Sequence, residues 1–281
     1  MAREARLGFV GAGRMGRPMV RRLLAAGHPV TVLARSAGLR GDLAAEGAEV
    51  TTEVGAFAEA EAVVVCVLTD TQVREVCLDG GLLDAMPSGS VLIVHTTCSP
   101  RTADLLAERA RARGIHAVDA AISGGPQDIA AGRLTLFVGG PSEAVERVRP
   151  VLAAYGDPVL HLGPSGSGQR VKLLNNAVFA ANLGILAQAV TVAAELGVPE
   201  EDLLRGVGHG SGASRALDGV AHLGSVRDFA ARVAEFLGKD LAVIRETTAG
   251  LGVGLGALGD AHDVLARLLD PAPLSTPVST N

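Results

Sequence analysis

The feature that most constrains this chain is the stretch Leu7–Gly16, which reads Leu-Gly-Phe-Val-Gly-Ala-Gly-Arg-Met-Gly. Its apolar start, Leu7–Val10, predicts a buried strand, and a helical pattern follows the stretch. Between them stand Gly11, Gly13 and Gly16. In dinucleotide-binding folds the first glycine permits a tight turn, the second lets a pyrophosphate approach the backbone, and the third lets the helix pack close to the strand. A glycine-rich turn without ligand is the alternative, but the position between strand and helix predicts a dinucleotide site.

Short apolar runs alternate with helical patterns as far as residue 162. This alternation predicts an α/β Rossmann fold, a doubly wound and mostly parallel sheet with helices on both faces. The predicted strands after the first are Pro29–Leu33, Ala48–Val50, Ala62–Leu68, Ser90–Val94, Ile115–Ala120, Leu134–Val138 and Val159–Leu162. The predicted helices between them are Leu39–Gly47, Pro100–Arg113 and Ser142–Ala154. Ligands bind at the carboxyl ends of such strands, where Gly11–Gly16, Leu68–Asp70 and Thr96–Thr97 fall.

The strand pattern ends near Gly163–Gly168, a segment rich in Gly, Pro and Ser that predicts a hinge. One long helix is predicted from Gln169 to about Leu196, and only helical patterns follow. We therefore expect two domains: residues 1–163 form the dinucleotide-binding domain and residues 164–281 a helical domain, with 271–281 as a flexible tail. The remaining predicted helices are Glu200–Val207, Ala213–Leu223, Val226–Gly250 and Gly256–Leu269.

Composition argues against several classes of protein. The net charge is −5 and aromatic residues make up only 2% of the chain, so neither a basic surface nor stacking platforms favour nucleic-acid binding. The three cysteines have no metal-binding spacing and fit a reduced, cytoplasmic protein. The histidines show no paired ligand spacing, so no metal site is expected. We also expect no signal peptide and no membrane span.

Lys172 and Asn176 lie four residues apart and share one face of the predicted long helix. Because this face follows the hinge directly, we expect it beside the cofactor domain. A partly desolvated lysine there, near a cationic nicotinamide, can exchange protons with a substrate oxygen, and Asn176 can bind the same substrate. Taken alone, Lys172 is explained better as a solvated lysine on an amphipathic helix.

Two further segments carry candidate binding residues. Ser123-Gly124-Gly125 follows a predicted strand, and the backbone N–H groups of such a turn can cradle a small anion such as a carboxylate. A tight turn without a ligand explains the same residues equally well. Lys239 can reach cofactor or substrate from the helical half, although a surface lysine is the plainer interpretation.

In their order along the chain these segments resemble the β-hydroxyacid dehydrogenase family, of the 3-hydroxyisobutyrate dehydrogenase type, over about residues 6–270. The resemblance implies hydride transfer between NAD(P) and a small 3-hydroxy acid or its oxo or semialdehyde partner. It also implies that residues 1–163 bind the NAD(P) and that residues 164–281 form the substrate and oligomerisation domain. It implies Lys172 as general acid/base, with Asn176, Ser123 and Gly124 holding the substrate carboxylate. The expected cofactor-binding residues are Gly11, Gly13, Arg14, Met15, Gly16, Arg35, Ser36, Leu68, Thr97 and Lys239.

The sequence departs from the family pattern at Pro126, Ile129 and Arg133. One alternative is a reductase of another C=O or C=N substrate, similar to the imine reductases. Lys172 argues against it, because those enzymes usually replace the lysine. A second alternative is a catalytically silent binding protein with a dehydrogenase fold, which would be expected to lose the lysine as well.

The choice of cofactor is predicted from the end of the second strand. NAD-specific relatives of the fold carry an Asp or Glu there that binds the ribose 2′-OH. Val32–Ser36 contains no acid, and Arg35 and Ser36 offer a guanidinium and a hydroxyl to a 2′-phosphate, with Arg40 as a second charge. The sequence predicts NADP over NAD, although a solvated arginine is compatible with either.

Apolar runs in the helical half, Leu241–Ile244 and Leu251–Leu258, predict an assembly. A small helical domain that exposed such faces would risk aggregation, whereas a partner would bury them. We therefore expect a homodimer or homotetramer.

Overall fold

The computed structural model describes residues 5–269, apart from the side chain of Phe236. The chain divides by internal contacts into two compact units, Met1–Lys172 and Leu173–Asn281. The predicted division at residue 163 stays a prediction, since the first unit also takes in the beginning of the long helix. The tail predicted at 271–281 lies outside the described residues.

The first unit is built on one eight-stranded sheet in the order β3-β2-β1-β4-β5-β6-β7-β8. All neighbouring strands run parallel except β6 and β7, which are antiparallel. The prediction of a doubly wound, mostly parallel Rossmann sheet is therefore confirmed. The strands are β1 Leu7–Val10, β2 Val30–Leu33, β3 Glu49–Thr51, β4 Ala62–Val65, β5 Val91–Val94, β6 His116–Ser123, β7 Leu134–Gly139 and β8 Gly156–His161.

The central strands are apolar throughout because both faces of the sheet are covered. In β4, Val64 joins one buried cluster while Val63 and Val65 join the other. Successive side chains of a strand point to opposite faces, so a strand buried on both sides has no polar alternation. The helices of this unit are α1 Gly16–Ala25, α2 Ala37–Ala45, α3 Asp70–Arg74, α4 Leu82–Ala85, α5 Pro100–Arg111, α6 Pro126–Ala130 and α7 Ser142–Ala153.

The second unit is helical in all its described elements. α8 Ser167–Glu195 begins in the first unit and continues into this one. It is followed by α9 Glu200–Gly208, α10 Arg215–Leu223, α11 Val226–Gly250 and α12 Ala257–Leu269. α8 and α12 pack so closely that a Cβ on Gly184 would lie 1.9 Å from the carbonyl oxygen of Ala261. Glycine is therefore required at this crossing.

α8 is the one helix among the described residues that is long and apolar enough to cross a membrane, with a mean hydropathy of 1.8. The sequence predicted no such span. One side of α8 packs into the core of the helical unit through Ala180, Leu183 and Leu186. That burial is typical of the core helix of a folded unit, and such helices pass the same test of length and composition.

Some predicted boundaries were wrong for local reasons. The strand predicted to reach Leu68 ends at Val65. The N–H of Cys66 still donates to the carbonyl oxygen of Val10, but the N–H of Val67 is taken by the hydroxyl of Thr96. The strand predicted to end at Ala120 continues to Ser123, where it pairs with the antiparallel β7. The short helices α3, α4 and α6 were not predicted, since none is long enough to show a helical period.

Candidate active site

The loops that carry the predicted site residues of the first unit lie side by side. They follow β2, β1, β4, β5 and β6, which are consecutive parallel neighbours, so their carboxyl ends meet at one edge of the sheet. In that order the edge presents Arg35 and Ser36, the glycine motif, Leu68, Thr97, and Ser123 with Gly124. Five adjacent strands span about 19 Å.

Each glycine of the motif has its own steric environment. A Cβ on Gly11, where φ is +95°, would lie 2.3 Å from the carbonyl oxygen of Cys66. A Cβ on Gly16 would lie 2.1 Å from the carbonyl oxygen of Gly11 and 2.8 Å from the ring of Phe9. A Cβ on Gly13 would meet nothing within 4 Å. The outer glycines are therefore required by packing, whereas Gly13 leaves open space at the N-terminus of α1, where a pyrophosphate would sit.

An open cleft of about 550 Å³ lies beside this turn. Arg14 is exposed at its edge, and Met15 is half-buried as the residue before α1. The cleft is lined by Ala12, Gly13, Arg14, Arg17, Pro18, Arg21, Leu39, Pro126, Gln127 and Ala130. The open space at Gly13 and the N-terminus of α1 fit the pyrophosphate of a dinucleotide.

Two arginines of this cleft are held by one carboxylate. Glu46 accepts hydrogen bonds from Arg21 at 2.6 Å and from Arg17 at 2.8 Å. These bonds lower the pKa of Glu46 to about 2. Glu46 follows α2 directly while both arginines lie on α1, so the cluster ties together the two helices that follow β1 and β2.

The end of β2 presents a cationic loop. Arg35 is exposed, and Ser36 is the residue before α2, where its hydroxyl makes no capping hydrogen bond. Arg40 donates to the carbonyl oxygens of Arg35 at 2.7 Å and of Ala34 at 3.3 Å, so its guanidinium lies against this loop. A guanidinium, a hydroxyl and a helix N-terminus together form a suitable environment for a phosphate.

The loops after β4 and β5 are held to one another by polar contacts that sequence reasoning missed. The Thr96 hydroxyl donates to the carbonyl oxygen of Val67 at 2.9 Å and accepts from its N–H at 3.0 Å. Asp70 accepts from the N–H of Ser99 at 2.8 Å and from the hydroxyl of Thr102 at 3.0 Å. Thr97 is half-buried and follows Thr96 directly. Leu68, in contrast, is 65% exposed, which is unusual for a leucine beside a core.

The turn after β6 is less available to an anion than the sequence suggested. Gly124 has φ +130°, which favours glycine, and it is exposed beside half-buried Ser123. However, the N–H of Gly125 already donates to the carboxylate of Asp128 at 2.8 Å. The departure at Ile129 has a packing cause, since its side chain is completely buried in the core.

Lys172 lies on the first turns of α8 and is only 9% exposed. The interpretation as a solvated surface lysine is therefore wrong. The start of α8 is fixed by Asp119, which accepts from the N–H groups of Gly166 at 2.6 Å and Gln169 at 2.9 Å. Burial raises the pKa of Asp119 although these N–H groups oppose the shift. Sequence reasoning assigned no role to Asp119, yet an acid within an apolar strand was a visible signal.

The remaining predicted residues belong to the second unit. Asn176 is 7% exposed, and its amide nitrogen donates to the carboxylate of Asp240, which is also buried. Lys239 lies 3.5 Å from the other oxygen of Asp240, and its side chain is 32% exposed. The structure thus brings Asn176, Asp240 and Lys239 together as one polar group. Lys172 and Asn176 are one helical turn apart on α8.

Comparisons with known proteins bear on the family to which the chain belongs. One family model, the NAD-binding domain of 6-phosphogluconate dehydrogenase, matches residues 6–163, and another, described as NAD-binding of NADP-dependent 3-hydroxyisobutyrate dehydrogenase, matches residues 166–271. The chain is 31% identical to 2-(hydroxymethyl)glutarate dehydrogenase of Eubacterium barkeri over 78% of this chain and 73% of that one. It matches a structure of Mycobacterium tuberculosis 3-hydroxyisobutyrate dehydrogenase with L-serine, with a TM-score of 0.84 and 28% identity over 94% of both chains.

The comparisons also include an imine reductase from Myxococcus stipitatus, at a TM-score of 0.68 and 21% identity over 94% of both chains. At this identity the likeness concerns the fold alone. The resemblance drawn from the glycine motif, Lys172 and Asn176 is confirmed: the chain belongs to the β-hydroxyacid dehydrogenase family and is an NAD(P)-dependent oxidoreductase of that type.

Proposed function

We propose that this protein transfers a hydride between NADP and a small 3-hydroxy acid or its oxo or semialdehyde partner. The observation that carries the proposal is the order of groups along the sheet edge. A cationic loop, a glycine turn with open space, and then Thr97 and the Ser123–Gly124 turn follow one another on neighbouring strands. This order corresponds to the 2′-phosphate, pyrophosphate, nicotinamide and substrate of a bound complex.

Lys172 is the group we assign to proton transfer. When bound, the nicotinamide supplies the hydride for reduction or accepts it from the carbinol carbon for oxidation. Lys172 Nζ takes the hydroxyl proton of the substrate during oxidation and returns it to the carbonyl oxygen during reduction. The burial of Lys172 supports this role, because a side chain that is 9% exposed exchanges protons with few competing waters.

Substrate orientation is assigned to Asn176, Ser123 and Gly124. The bond to Asp240 fixes the Asn176 amide and leaves its second N–H for a substrate carboxylate. Ser123 and the N–H of Gly124 supply further donors. The N–H of Gly125 is not among them, because it donates to the carboxylate of Asp128. Lys239 contributes a cation that attracts either the cofactor phosphates or the substrate carboxylate.

NADP is proposed over NAD because of the loop after β2. Arg35 is exposed, the Ser36 hydroxyl makes no capping bond, and Arg40 holds the backbone between them. Residues 32–36 contain no carboxylate that would accept a ribose hydroxyl and repel a phosphate. The wording of the family model that matches residues 166–271 also supports NADP.

A homodimer or homotetramer is proposed from the exposed face of α8. Leu174, Val178, Ile185 and Val192 are 50%, 48%, 59% and 49% exposed, and they are spaced by four, seven and seven residues. Such spacing places them on one stripe of the helix, which a second copy of α8 would bury by coiled-coil packing. The free thiols of Cys66 and Cys77 support the cytoplasmic location predicted from the sequence.

A substrate panel tests the proposed function. Purified protein is assayed with 3-hydroxy acids and short semialdehydes, and separately with cyclic imines, each with NADP(H) and NAD(H). We expect turnover of the hydroxy acids or semialdehydes with NADP(H). Turnover confined to imines would replace the proposal with the imine reductase alternative, and cofactor binding without turnover of any kind would favour the silent binding protein.

A further inference from the structure

The side chain of Gln169 joins two segments of the proposed active site. It is completely buried in the first unit. Its amide oxygen accepts from the N–H of Cys98 at 3.0 Å, and its amide nitrogen donates to the carbonyl oxygen of Thr96 at 2.9 Å. Gln169 therefore uses both ends of its amide on the loop after β5.

These two bonds flank a single residue, Thr97. In a parallel sheet, a residue on one strand bonds with the preceding carbonyl and the following N–H of its neighbour. The Gln169 amide reproduces that pattern and acts on Thr97 as one more parallel partner would. The two backbone groups that flank Thr97 are thus both held by Gln169, in the loop beyond β5, which ends at Val94.

The backbone at Gln169 is itself held in place by the sheet. Its backbone N–H donates to Asp119 at 2.9 Å. The neighbouring Gly168 lies so close to β7 that a Cβ there would be 2.3 Å from the carbonyl oxygen of Phe137. The first turn of α8 is therefore fixed to the sheet, and Lys172 follows Gln169 by three residues on that same helix.

We propose that Gln169 is a positioning residue that sets the backbone of Thr97 relative to Lys172. This inference rests on the proposed function, in which Thr97 lies beside the nicotinamide and Lys172 moves the proton. Hydride and proton transfer both depend on sub-ångström placement of the reacting groups, and a 1 Å misplacement can cost about 10²-fold in rate. A rigid amide bridge between the two segments supplies that placement.

Two substitutions separate the bridge from mere packing. Gln169→Met keeps the volume and loses both hydrogen bonds, so we expect kcat to fall about 10- to 100-fold while the Kd of the cofactor changes less than about threefold. Gln169→Glu keeps an acceptor for Cys98 but sets a carboxylate oxygen against the Thr96 carbonyl. Protonation of the introduced carboxylate restores a donor to the Thr96 carbonyl. The kcat of Gln169→Glu relative to wild type should therefore recover as the pH falls. Arg170→Met, on the exposed neighbour in the same turn, is the control and should keep wild-type kcat.

Hydrogen exchange provides a readout that does not depend on activity. In Gln169→Met, the peptides that contain residues 96–98 and 166–172 should lose protection together, while those of β1 remain unchanged. Protection of residues 96–98 equal to wild type would overturn the bridge whether or not the protein turns over any substrate. A kcat within threefold of wild type, or a Gln169→Glu ratio independent of pH, would overturn the positioning role alone. A wild-type protein without dehydrogenase activity would count against the proposed function and leave the exchange result to decide the bridge.

Discussion

Gly13→Ala separates cofactor binding from folding more sharply than any other change in the glycine motif. The Cβ of an alanine would meet no atom within 4 Å in the protein itself, and the backbone of Gly13 is not in the left-handed region. Alanine therefore fits the folded protein without strain. The open space that it would enter is the space through which a pyrophosphate approaches the backbone.

The magnitudes follow from these two facts. Replacing glycine by alanine where the backbone permits it stabilises a protein by about 0.4–1 kcal/mol, because the unfolded chain loses conformational freedom. A methyl group between the phosphate and the turn costs at least one hydrogen bond to a charged group, worth about 1.5–3 kcal/mol. The Kd for the dinucleotide should therefore rise about 10- to 150-fold.

Thermal unfolding without cofactor and titration of reduced cofactor by fluorescence measure both quantities. Gly13→Ala should unfold at the wild-type temperature or slightly above it, and it should bind NADPH weakly. Gly16→Ala is the matched control, because its Cβ would lie 2.1 Å from a carbonyl oxygen and should destabilise the fold itself. A Gly13→Ala protein that binds NADPH with wild-type affinity would refute the assignment of this turn.

Three further predictions address the cofactor, the assembly and pH. Arg35→Ala should lower kcat/KM for NADP about tenfold or more, the scale of one charge-assisted contact, with little change for NAD, and an unchanged NADP value in steady-state kinetics would count against this loop. Light scattering should give at least twice 28.5 kDa for wild type and the monomer mass for Ile185→Glu, so a wild-type monomer would contradict the assembly. Burial lowers the pKa of His95 from 6.5 to about 4, so folding stability should fall as the pH drops through that window, by about 3 kcal/mol from this residue. The difference in denaturant stability between wild type and His95→Gln should shrink toward pH 4, and a difference independent of pH would show that His95 does not titrate in this way.

Much of the fold could be predicted because its strands are apolar and its turns carry glycine. Leu7–Val10 was predicted with the bounds that β1 has, and α11 Val226–Gly250 likewise. The antiparallel β7 was not predicted as such, since a short apolar run does not reveal its direction. α3 was missed although Thr69 and Gln72 form a capping box, a signal visible in the sequence.

The candidate site was predicted where a residue type carries chemistry, and missed where a residue acts through position. Lys172 and Asn176 stood out as a polar pair on an apolar helix. Gln169, Asp119 and Thr96 did not, because their roles depend on which backbone groups the fold brings within 3 Å. No sequence pattern fixes such long-range hydrogen bonds, whose partners lie from 29 to 73 residues away.

The central claim is that Lys172 moves the proton in a nicotinamide-dependent oxidation of a 3-hydroxy acid. The most direct measurement compares kcat of wild type and Lys172→Met with the best substrate of the panel, together with the Kd of NADPH for both proteins. We expect kcat to fall by about 10²–10⁴, the usual contribution of a positioned acid/base, while NADPH binding stays within about threefold. Turnover by Lys172→Met within a few-fold of wild type would contradict the account.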